Sequence, residues 1–263
     1  MSPAGFVIEH VDETGSTNSD LLARVQAALP SGEIAFAPCL LVAGRQTAGR
    51  GRHGRRWEAA RGASLTFSLA WPFARTLDLS GLSLAVGVAL AEALDLTLPC
   101  RIGLKWPNDL WLTDPSGGRK LGGVLIETAP YGADRVAVIG IGVNVHAFAV
   151  DEAASGLACL DELDADASPE SVLDRVVAPL SAALRSFERD GFAVFAERFA
   201  ARDVLRGLPV RIDTPGGAAG VATGVSNDGE LLVRTAGGVV AVRSGEARLL
   251  RLPASTTFAA ATC

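Results

Sequence analysis

The segment Leu82–Leu94 is apolar on almost every side, and it limits what the chain can fold into more than any other stretch. Glu92 is its only charged residue, and Asp95 follows directly after its end. A helix without a polar face has to be covered all round by other elements. The sequence therefore predicts a helix buried inside a substantial core, and 263 residues suffice for one medium domain plus a small one.

Further helices and several strands are predicted around this buried helix. One helix begins at Ser16-Thr17-Asn18, where Thr17 and Asp20 resemble a capping box. A longer helix begins at Ser168-Pro169-Glu170, with Ser168 as the N-cap and a kink at Pro179, and a shorter helix follows. Apolar runs bounded by Gly and Pro predict strands at 38–43, 64–71, 101–106, 110–113, 121–128 and 135–145.

The sequence pattern changes at Pro209, after which predicted short strands alternate with Gly-rich turns. This pattern is typical of a small β-barrel and places a domain boundary near Arg206-Gly207. Residues 254–263 are expected to form a frayed tail. The predicted strands of this part are 210–212, 220–225, 231–234 and 239–243.

Composition and charge exclude several classes of protein. The net charge of −5 argues against a chain that binds polyanions as a whole. The N-terminus lacks the pattern of a signal peptide, and no run of about eighteen apolar residues predicts a membrane span. The four cysteines form no CxxC pair, which favours free thiols in a reducing cytosol, and the three scattered histidines argue against zinc.

The segment Gly49–Trp57 holds three glycines and four arginines in nine residues, so it cannot pack as a core. Glycines let the backbone approach a ligand closely, and guanidinium groups suit carboxylate and phosphate. We interpret it as a ligand-binding loop that is mobile when empty and orders around an anion. A solvated basic loop or an RGG-like nucleic-acid segment is the alternative.

Only two of the 24 basic residues are lysines, Lys105 and Lys120, which suggests that each has a role that arginine would not fulfil. In the segment 105–109 a strand ends in Lys105, and Asp109 follows a Pro-Asn turn. This spacing fits a phosphate-directed cation beside a carboxylate that could bind Mg²⁺. It fits a plain turn equally well.

Two glycine-bearing stretches complete the set of motifs. Lys120-Leu121-Gly122-Gly123 would let a ligand lie flat against the backbone, although hairpins often carry Lys and Gly. In Gly140–Val145, glycines lie within a buried strand that leads to Asn144, and no GxGxxG-to-helix transition follows. The glycines of this stretch either form a flat surface on which a ligand packs or allow close packing between strands.

In this order and spacing the motifs resemble those of the biotin protein ligases, over residues 16 to about 251. The residues concerned are STN (16–18), GRGRHGRRW (49–57), KWPND (105–109), KLGG (120–123) and GIGVN (140–144). The resemblance implies an α/β (α+β) fold with a mixed-sheet catalytic domain of the class II synthetase and biotin–lipoate ligase type. It places that domain at 1–206, an SH3-like β-barrel at 207–253 and a disordered tail at 254–263.

The resemblance also implies a two-step reaction. Biotin and ATP, with Mg²⁺, would first give biotinoyl-5′-AMP, which would then acylate one lysine of a biotin carboxyl carrier domain of the acetyl-CoA carboxylase type. Biotin and ATP are substrates, and no tightly bound prosthetic group is expected. Because the first step brings two anions together, neutralising and aligning them would be the main task of the site.

The site residues are carried over from the same resemblance. Lys120 would bridge the biotin carboxyl oxygen and the adenylate phosphate, and Asp109 would assist either Mg²⁺, as a metal ligand, or the incoming amine. The catalytic residues would be Lys120, Arg50, Lys105 and Asp109. The biotin-binding residues would be Ser16, Thr17, Asn18, Gln46, Arg50, Gly51, Arg52, Lys120, Gly123 and Gly140. The residues for ATP or the adenylate would be Arg52, Arg55, Trp57, Lys105, Asn108, Asp109 and Asn144.

Some features depart from the family pattern. His53 stands where the family often has Arg, and Gly122 where Ala is common, and we expect both to tune affinity. Only fifteen residues precede Ser16, so we expect no helix-turn-helix and no operator-binding repressor. The expected protein is cytoplasmic, a monomer or homodimer, with a carrier domain as its partner and neither nucleic acid nor membrane.

Three rival functions remain open from the sequence. A lipoate or octanoate ligase would share the fold and the adenylation chemistry. A nucleic-acid-binding module would use the arginine-rich loop and bind with a steep dependence on salt. A pseudoenzyme would bind biotin without transferring it.

Overall fold

The structure is a computed structural model, and it describes residues 6–28, 36–95, 97, 100–114, 117–149, 157–214 and 217–250. The chain divides into two compact units, each made of two segments. The first unit is Met1–Leu77 with Leu121–Ser181, and the second is Asp78–Lys120 with Ala182–Cys263. Within the described ranges, no helix is long and apolar enough to cross a membrane.

The helices and strands are numbered in chain order. They are β1 (Val7–Val11), α1 (Thr17–Ala28), β2 (Cys39–Ala43), β3 (Ser64–Ala74), α2 (Leu82–Leu94), β4 (Ile102–Lys105), β5 (Asp109–Asp114), β6 (Gly117–Tyr131), β7 (Asp134–Asn144), α3 (Pro169–Asp190), α4 (Ala196–Ala200), β8 (Pro209–Ile212), β9 (Ala219–Val225), β10 (Leu231–Thr235), β11 (Gly238–Val242) and β12 (Ala247–Leu249).

In the first unit the strands lie in the order β1-β2-β3-β7-β6. β1 runs parallel to β2, with Val11 opposite Ala43, and the other neighbours are antiparallel. Helix α1 packs Leu21 and Val25 against the apolar side chains of β2, β3, β6 and β7. The mixed sheet and the α/β character predicted from the sequence are confirmed.

The start of α1 differs from the prediction. The hydroxyl of Ser16 lies 3.5 Å from the amide of Ser19, which places Ser16 at the cap. The carboxylate of Asp20 accepts a hydrogen bond of 2.5 Å from the hydroxyl of Thr14, which lies before the helix. The proposed capping box of Thr17 with Asp20 is therefore wrong, because Thr17 directs its hydroxyl to other partners.

In the second unit, α2 is buried over nearly its whole length, and its predicted bounds are confirmed. Gly81 is its N-cap residue, and the φ of 77° there is in the left-handed region that favours glycine. The strand order in this unit is β6-β5-β4, where β6 contributes its first residues and continues into the first unit. β4 and β5 form an antiparallel hairpin with Lys105 opposite Asp109.

The C-terminal part forms an antiparallel sheet in the order β11-β10-β9-β8-β12. The four predicted strands are confirmed, and β12 is an additional one. The edge strands β11 and β12 do not pair with each other within the described ranges, so the sheet is open there.

Helix α3 begins as predicted, since the amide of Ser171 donates to the hydroxyl of Ser168 at 3.2 Å.

The cysteines correct one expectation. Cys39 and Cys159 are free thiols, but Cys100 is disulfide-bonded. The missing CxxC pair did not exclude a disulfide, because residues far apart in sequence can meet in a fold. The cysteines therefore carry no conclusion about the redox compartment. The predicted tail at 254–263 lies outside the described residues, as does the first part, 151–156, of the acidic segment 151–168 that the sequence predicts to be irregular.

Candidate active site

A polar cluster lies where α1 begins, in the first unit, and three of its four residues are buried. The amide of Thr17 donates to Oε1 of Gln46 at 2.8 Å, and the Thr17 hydroxyl lies 3.1 Å from the same oxygen. Oγ of Thr17 is also 2.6 Å from Oγ of Ser68, whose hydroxyl donates to Oδ1 of Asn18 at 2.6 Å. We call these four residues, Thr17, Asn18, Gln46 and Ser68, the α1 cluster.

Glu127 extends the α1 cluster to the arginine-rich loop. Nδ2 of Asn18 donates to one carboxylate oxygen of Glu127 at 3.0 Å, and Arg50 forms an ion pair with the other. Arg50 also lies 3.4 Å from the hydroxyl of Ser19. The side chain of Glu127 is 28% exposed against 42% for Arg50, so the acid is the better shielded partner.

The arginine-rich loop (Gly49–Trp57) is folded as a tight hairpin rather than an open loop. The amide of Trp57 donates to the carbonyl of Gly49 at 2.9 Å, and the amide of Gly51 donates to the carbonyl of Arg55 at 2.8 Å. A Cβ at Gly49 would lie 2.4 Å from the Trp57 carbonyl oxygen, so only glycine fits. The exposed tip carries His53 at a φ of 56°, with Arg52 and Arg55 beside it.

The glycines of β7 make room for side chains of the chain itself. A Cβ at Gly142 would lie 2.3 Å from the indole of Trp57, and one at Gly140 would lie 2.2 Å from Oδ1 of Asn18. The sequence predicts a ligand or a neighbouring strand against these glycines, but the side chains of Trp57 and Asn18 occupy the space. β7 ends at Asn144, which is buried and donates to the carbonyl of Ala158 at 3.2 Å.

Glycines of β6 face the same strand. A Cβ at Gly122 would lie 2.6 Å from the carbonyl oxygen of Gly142, which is backbone and cannot yield cheaply. The departure from alanine at this position therefore fits the close antiparallel pairing of β6 with β7. Gly123 lies opposite Gly142 in the register.

The second unit holds the KWPND turn (Lys105–Asp109). Lys105 is only 8% exposed, and its Nζ lies 5.2 Å from the ring centroid of Trp111, a cation–π distance. The amide of Asn108 closes the turn on the carbonyl of Lys105 at 3.2 Å. Trp111 also packs on Gly118, where an added Cβ would lie 2.6 Å from the ring.

Lys120 is held by the same turn. Its Nζ lies 2.7 Å from Oδ1 of Asp109, so the two residues form an ion pair between β6 and β5. Both lysines of the chain thus lie at the KWPND turn, each with a defined partner. Among the residues described, no three His, Cys, Asp or Glu side chains cluster as a metal site would require.

The structure brings many, but not all, of the predicted site residues into two groups. Thr17, Asn18, Gln46, Arg50, Trp57 and Gly140 come together in the first unit, and Lys105, Asn108, Asp109 and Lys120 in the second. Sequence reasoning missed Ser68, Glu127 and Trp111. A serine and a glutamate inside apolar β-runs were the signal available for the first two, and Trp111 had none beyond its place after Asp109.

Comparisons with known proteins match both parts of the chain. The model of the Biotin/lipoate A/B protein ligase family matches residues 31–144, and that of the Biotin protein ligase C terminal domain matches residues 207–250. The biotin--[acetyl-CoA-carboxylase] ligase of Mycobacterium tuberculosis is 32% identical, over 93% of this chain and 89% of the relative. The bifunctional ligase/repressor BirA of Escherichia coli is 33% identical, over 88% of this chain and 72% of the relative.

Solved structures agree with these relatives. The biotin protein ligase of Aquifex aeolicus in complex with biotin and ATP superimposes with a TM-score of 0.76 at 29% identity, covering 93% of this chain and 99% of the other. That of Leishmania major in complex with biotin gives a TM-score of 0.61 at 25% identity, covering 93% and 100%. Sequence and fold lead to one conclusion: the chain belongs to the biotin protein ligase family and is a ligase.

Proposed function

We propose that this ligase converts biotin and ATP into biotinoyl-5′-AMP and pyrophosphate, and then transfers the biotinoyl group to one lysine of a carboxyl carrier domain. The substrates are supported by the relatives, since the Aquifex structure contains biotin and ATP. The acceptor is supported by the name of the mycobacterial relative, which is a biotin--[acetyl-CoA-carboxylase] ligase. Lipoate and octanoate ligases remain the rival to be excluded by experiment.

The α1 cluster is the observation that carries the proposal. A ureido ring presents one carbonyl oxygen and two N–H groups, so it needs both donors and acceptors in a shielded place. Thr17, Asn18 and Gln46 offer both, and Thr17 and Asn18 are at most 3% exposed. We assign these residues, with Ser16 and Gly140, to the ureido end of biotin.

The arginine-rich loop supplies positive charge for the carboxylate of biotin and the phosphate of the adenylate. Arg50 is anchored by Glu127, while Arg55 lies at the exposed tip of the hairpin and the half-buried Arg52 lies beside it. Guanidinium groups bind such oxyanions through paired N–H donors. We assign Arg50, Gly51 and Arg52 to the reacting groups, and Arg55 to the departing phosphates.

The KWPND turn and Lys120 supply the fixed positive charges. In adenylate formation the carboxylate oxygen attacks the α-phosphorus, the bond to the pyrophosphate oxygen breaks, and negative charge accumulates on the phosphate oxygens. Lys105 and Lys120 are each held by a neighbour, so little reorganisation is needed when that charge develops. We assign Lys105 and Lys120 to the α-phosphate, Lys120 also to the biotin carboxylate, and Asn108 to the nucleotide.

Asp109 fits a magnesium ion that arrives with ATP. Mg²⁺ is commonly bound by one or two carboxylates together with substrate phosphates, so a single aspartate suffices. When bound, the ion would neutralise the phosphate charge. Asp109 would contribute one ligand oxygen and keep its contact with Lys120. We assign Trp57 and Asn144 to the adenine and ribose, and Gly123 to the biotin site. We also propose that the C-terminal sheet, within residues 207–250, is of the SH3-like barrel type.

Biotin-dependent exchange of labelled pyrophosphate into ATP tests the first step. Exchange that requires biotin and does not respond to lipoate or octanoate is the expected result. Exchange with lipoate and none with biotin would establish the rival ligase. Binding of biotin without any exchange would show a pseudoenzyme.

A further inference from the structure

The KWPND turn is tied to the C-terminal sheet by one buried hydrogen bond. Nε1 of Trp106 donates to the carbonyl oxygen of Gly229 at 3.0 Å. Trp106 is among the largest fully enclosed side chains of the chain. Gly229 belongs to the turn between β9 and β10, which is 123 residues further along the chain.

The turn that accepts this bond is rigidly built. The hydroxyl of Ser226 accepts hydrogen bonds from the amides of Asp228 and Glu230, at 3.2 and 3.1 Å. The amide of Gly229 donates to the carbonyl of Ser226 at 3.0 Å. We call this segment, Ser226–Glu230, the support turn.

The support turn also packs on the start of α2. A Cβ at Gly229 would lie 2.6 Å from Cα of Gly81, and one at Gly81 would lie 2.6 Å from the ring of Phe192. The support turn, Gly81 before α2 and Phe192 therefore pack together, with no space for a methyl group on either glycine. Next to this contact, the hydroxyl of Ser83 donates to the carbonyl of Pro107 at 2.8 Å, so α2 holds the KWPND turn as well.

We infer that the support turn positions the KWPND turn for its work on ATP, with Trp106 as the connecting residue. Trp106 lies directly between Lys105 and Pro107, and Lys105, Asn108 and Asp109 are the residues assigned to the nucleotide. The inference rests on the proposed function. Trp106 and Gly229 act through these neighbours and are positioning residues.

Gly229→Ala tests this contact, and the chain offers a matched control. Gly229 has a φ of 79° and Gly207 a φ of 82°, but nothing lies within 4 Å of a Cβ added at Gly207. Both variants bear the same left-handed backbone strain, and only Gly229→Ala pushes Gly81 away. Because misplacement by about 1 Å can cost on the order of 100-fold, we expect kcat/KM for ATP to fall at least about tenfold in Gly229→Ala.

The measurements are exchange kinetics for ATP and for biotin, with thermal unfolding alongside. The inference predicts a raised KM for ATP or a lowered kcat, an unchanged KM for biotin, and Gly207→Ala close to the original chain. Equal ATP kinetics in the two alanine variants, measured where both are folded, would overturn it. If Gly229→Ala does not fold, Trp106→Phe decides the matter, because it removes the indole N–H and some ring volume: the same selective loss for ATP supports the inference, and unchanged ATP kinetics would overturn it.

Hydrogen exchange separates this inference from the proposed function. Faster amide exchange over residues 105–113 in Gly229→Ala than in Gly207→Ala, with α1 unchanged, supports the positioning contact even if no ligase activity is found. Equal exchange in the two variants counts against it. Absence of biotin-dependent activity in the unchanged chain would remove the proposed function instead.

Discussion

Nζ of Lys120 lies 2.7 Å from Oδ1 of Asp109, so one of the two lysines of the chain is already paired with a carboxylate. The side chains are 34% and 16% exposed, which makes this pair better shielded than a typical surface ion pair. An anionic substrate at this place meets an ammonium that is held in position. Asp109 then shares the ammonium with the substrate.

Lys120→Arg should lower biotin-dependent pyrophosphate exchange by about 100-fold, although the charge is retained. A guanidinium is larger, planar and bidentate, so it would occupy both oxygens of Asp109 and leave no room for a phosphate oxygen. The control is the opposite substitution at an exposed ion pair. Arg24 lies 2.8 Å from Glu9, and Arg24→Lys should leave pyrophosphate exchange unchanged. Near-normal exchange in Lys120→Arg would refute the fixed-ammonium role.

Glu127→Gln should raise the KM for biotin by about tenfold, an effect of about 1.4 kcal/mol. The glutamine oxygen can still accept from Asn18, but Arg50 loses the charge that anchors it. Steady-state kinetics with varied biotin measure the change. Glu13→Gln is the matched control, because it removes the exposed pair with Arg45 at 3.0 Å. Equal kinetics in the two variants would show that the Arg50 anchor is dispensable.

Thr17→Val should weaken biotin binding by roughly 1–3 kcal/mol, because it removes a hydroxyl from a buried polar cluster and leaves the shape nearly unchanged. Titration calorimetry with biotin gives the affinity directly. Thr47→Val serves as the control, because the Thr47 hydroxyl is exposed and makes a long hydrogen bond of 3.4 Å to the carbonyl of Thr14. An unaltered biotin affinity in Thr17→Val would place the ureido site elsewhere.

Asp203→Asn should stabilise the protein above about pH 6. Burial raises the pKa of Asp203 to about 6, against the partial compensation of a hydrogen bond from the Leu205 amide and the charge of Arg206. One oxygen, Oδ2, is buried without a hydrogen-bond partner. Asparagine keeps the acceptor for Leu205 and carries no charge, so the gain is at most about 3 kcal/mol.

The sign of the pH dependence follows from this raised pKa. Between about pH 4 and pH 6 the folded chain binds the proton more tightly than the unfolded chain, so this group makes stability fall as pH rises. Above that window the penalty is constant, and below it the penalty is absent. Urea unfolding across the window should show this contribution in the original chain and lose it in Asp203→Asn. An Asp203→Asn variant that is less stable above neutral pH would contradict the prediction.

Much of the fold was predictable because local patterns decide it. Leu82–Leu94 has no polar face, so a buried helix is the only arrangement that satisfies it, and its bounds were correct. β1 was missed because Glu9 and His10 interrupt an edge strand that pairs on one side only. β12 was missed because three residues give no readable period.

The candidate site was less predictable because its partners meet across long stretches of chain. Asn18 and Glu127 are 109 residues apart, and Trp106 and Gly229 are 123 apart, so no local pattern connects them. The glycines of β7 were recognised as sites of close approach. That Trp57 and Asn18 make that approach depends on the tertiary fold alone.

Measuring the intact mass of a carrier domain is the most direct test of whether this chain transfers biotin to a protein lysine. The purified chain is incubated with a biotin carboxyl carrier domain, biotin and Mg·ATP, and the intact mass of the carrier is recorded. We expect an increase by one biotinoyl group that requires both biotin and ATP and disappears when the acceptor lysine is replaced by arginine. No increase, or an increase with lipoate and none with biotin, would contradict it.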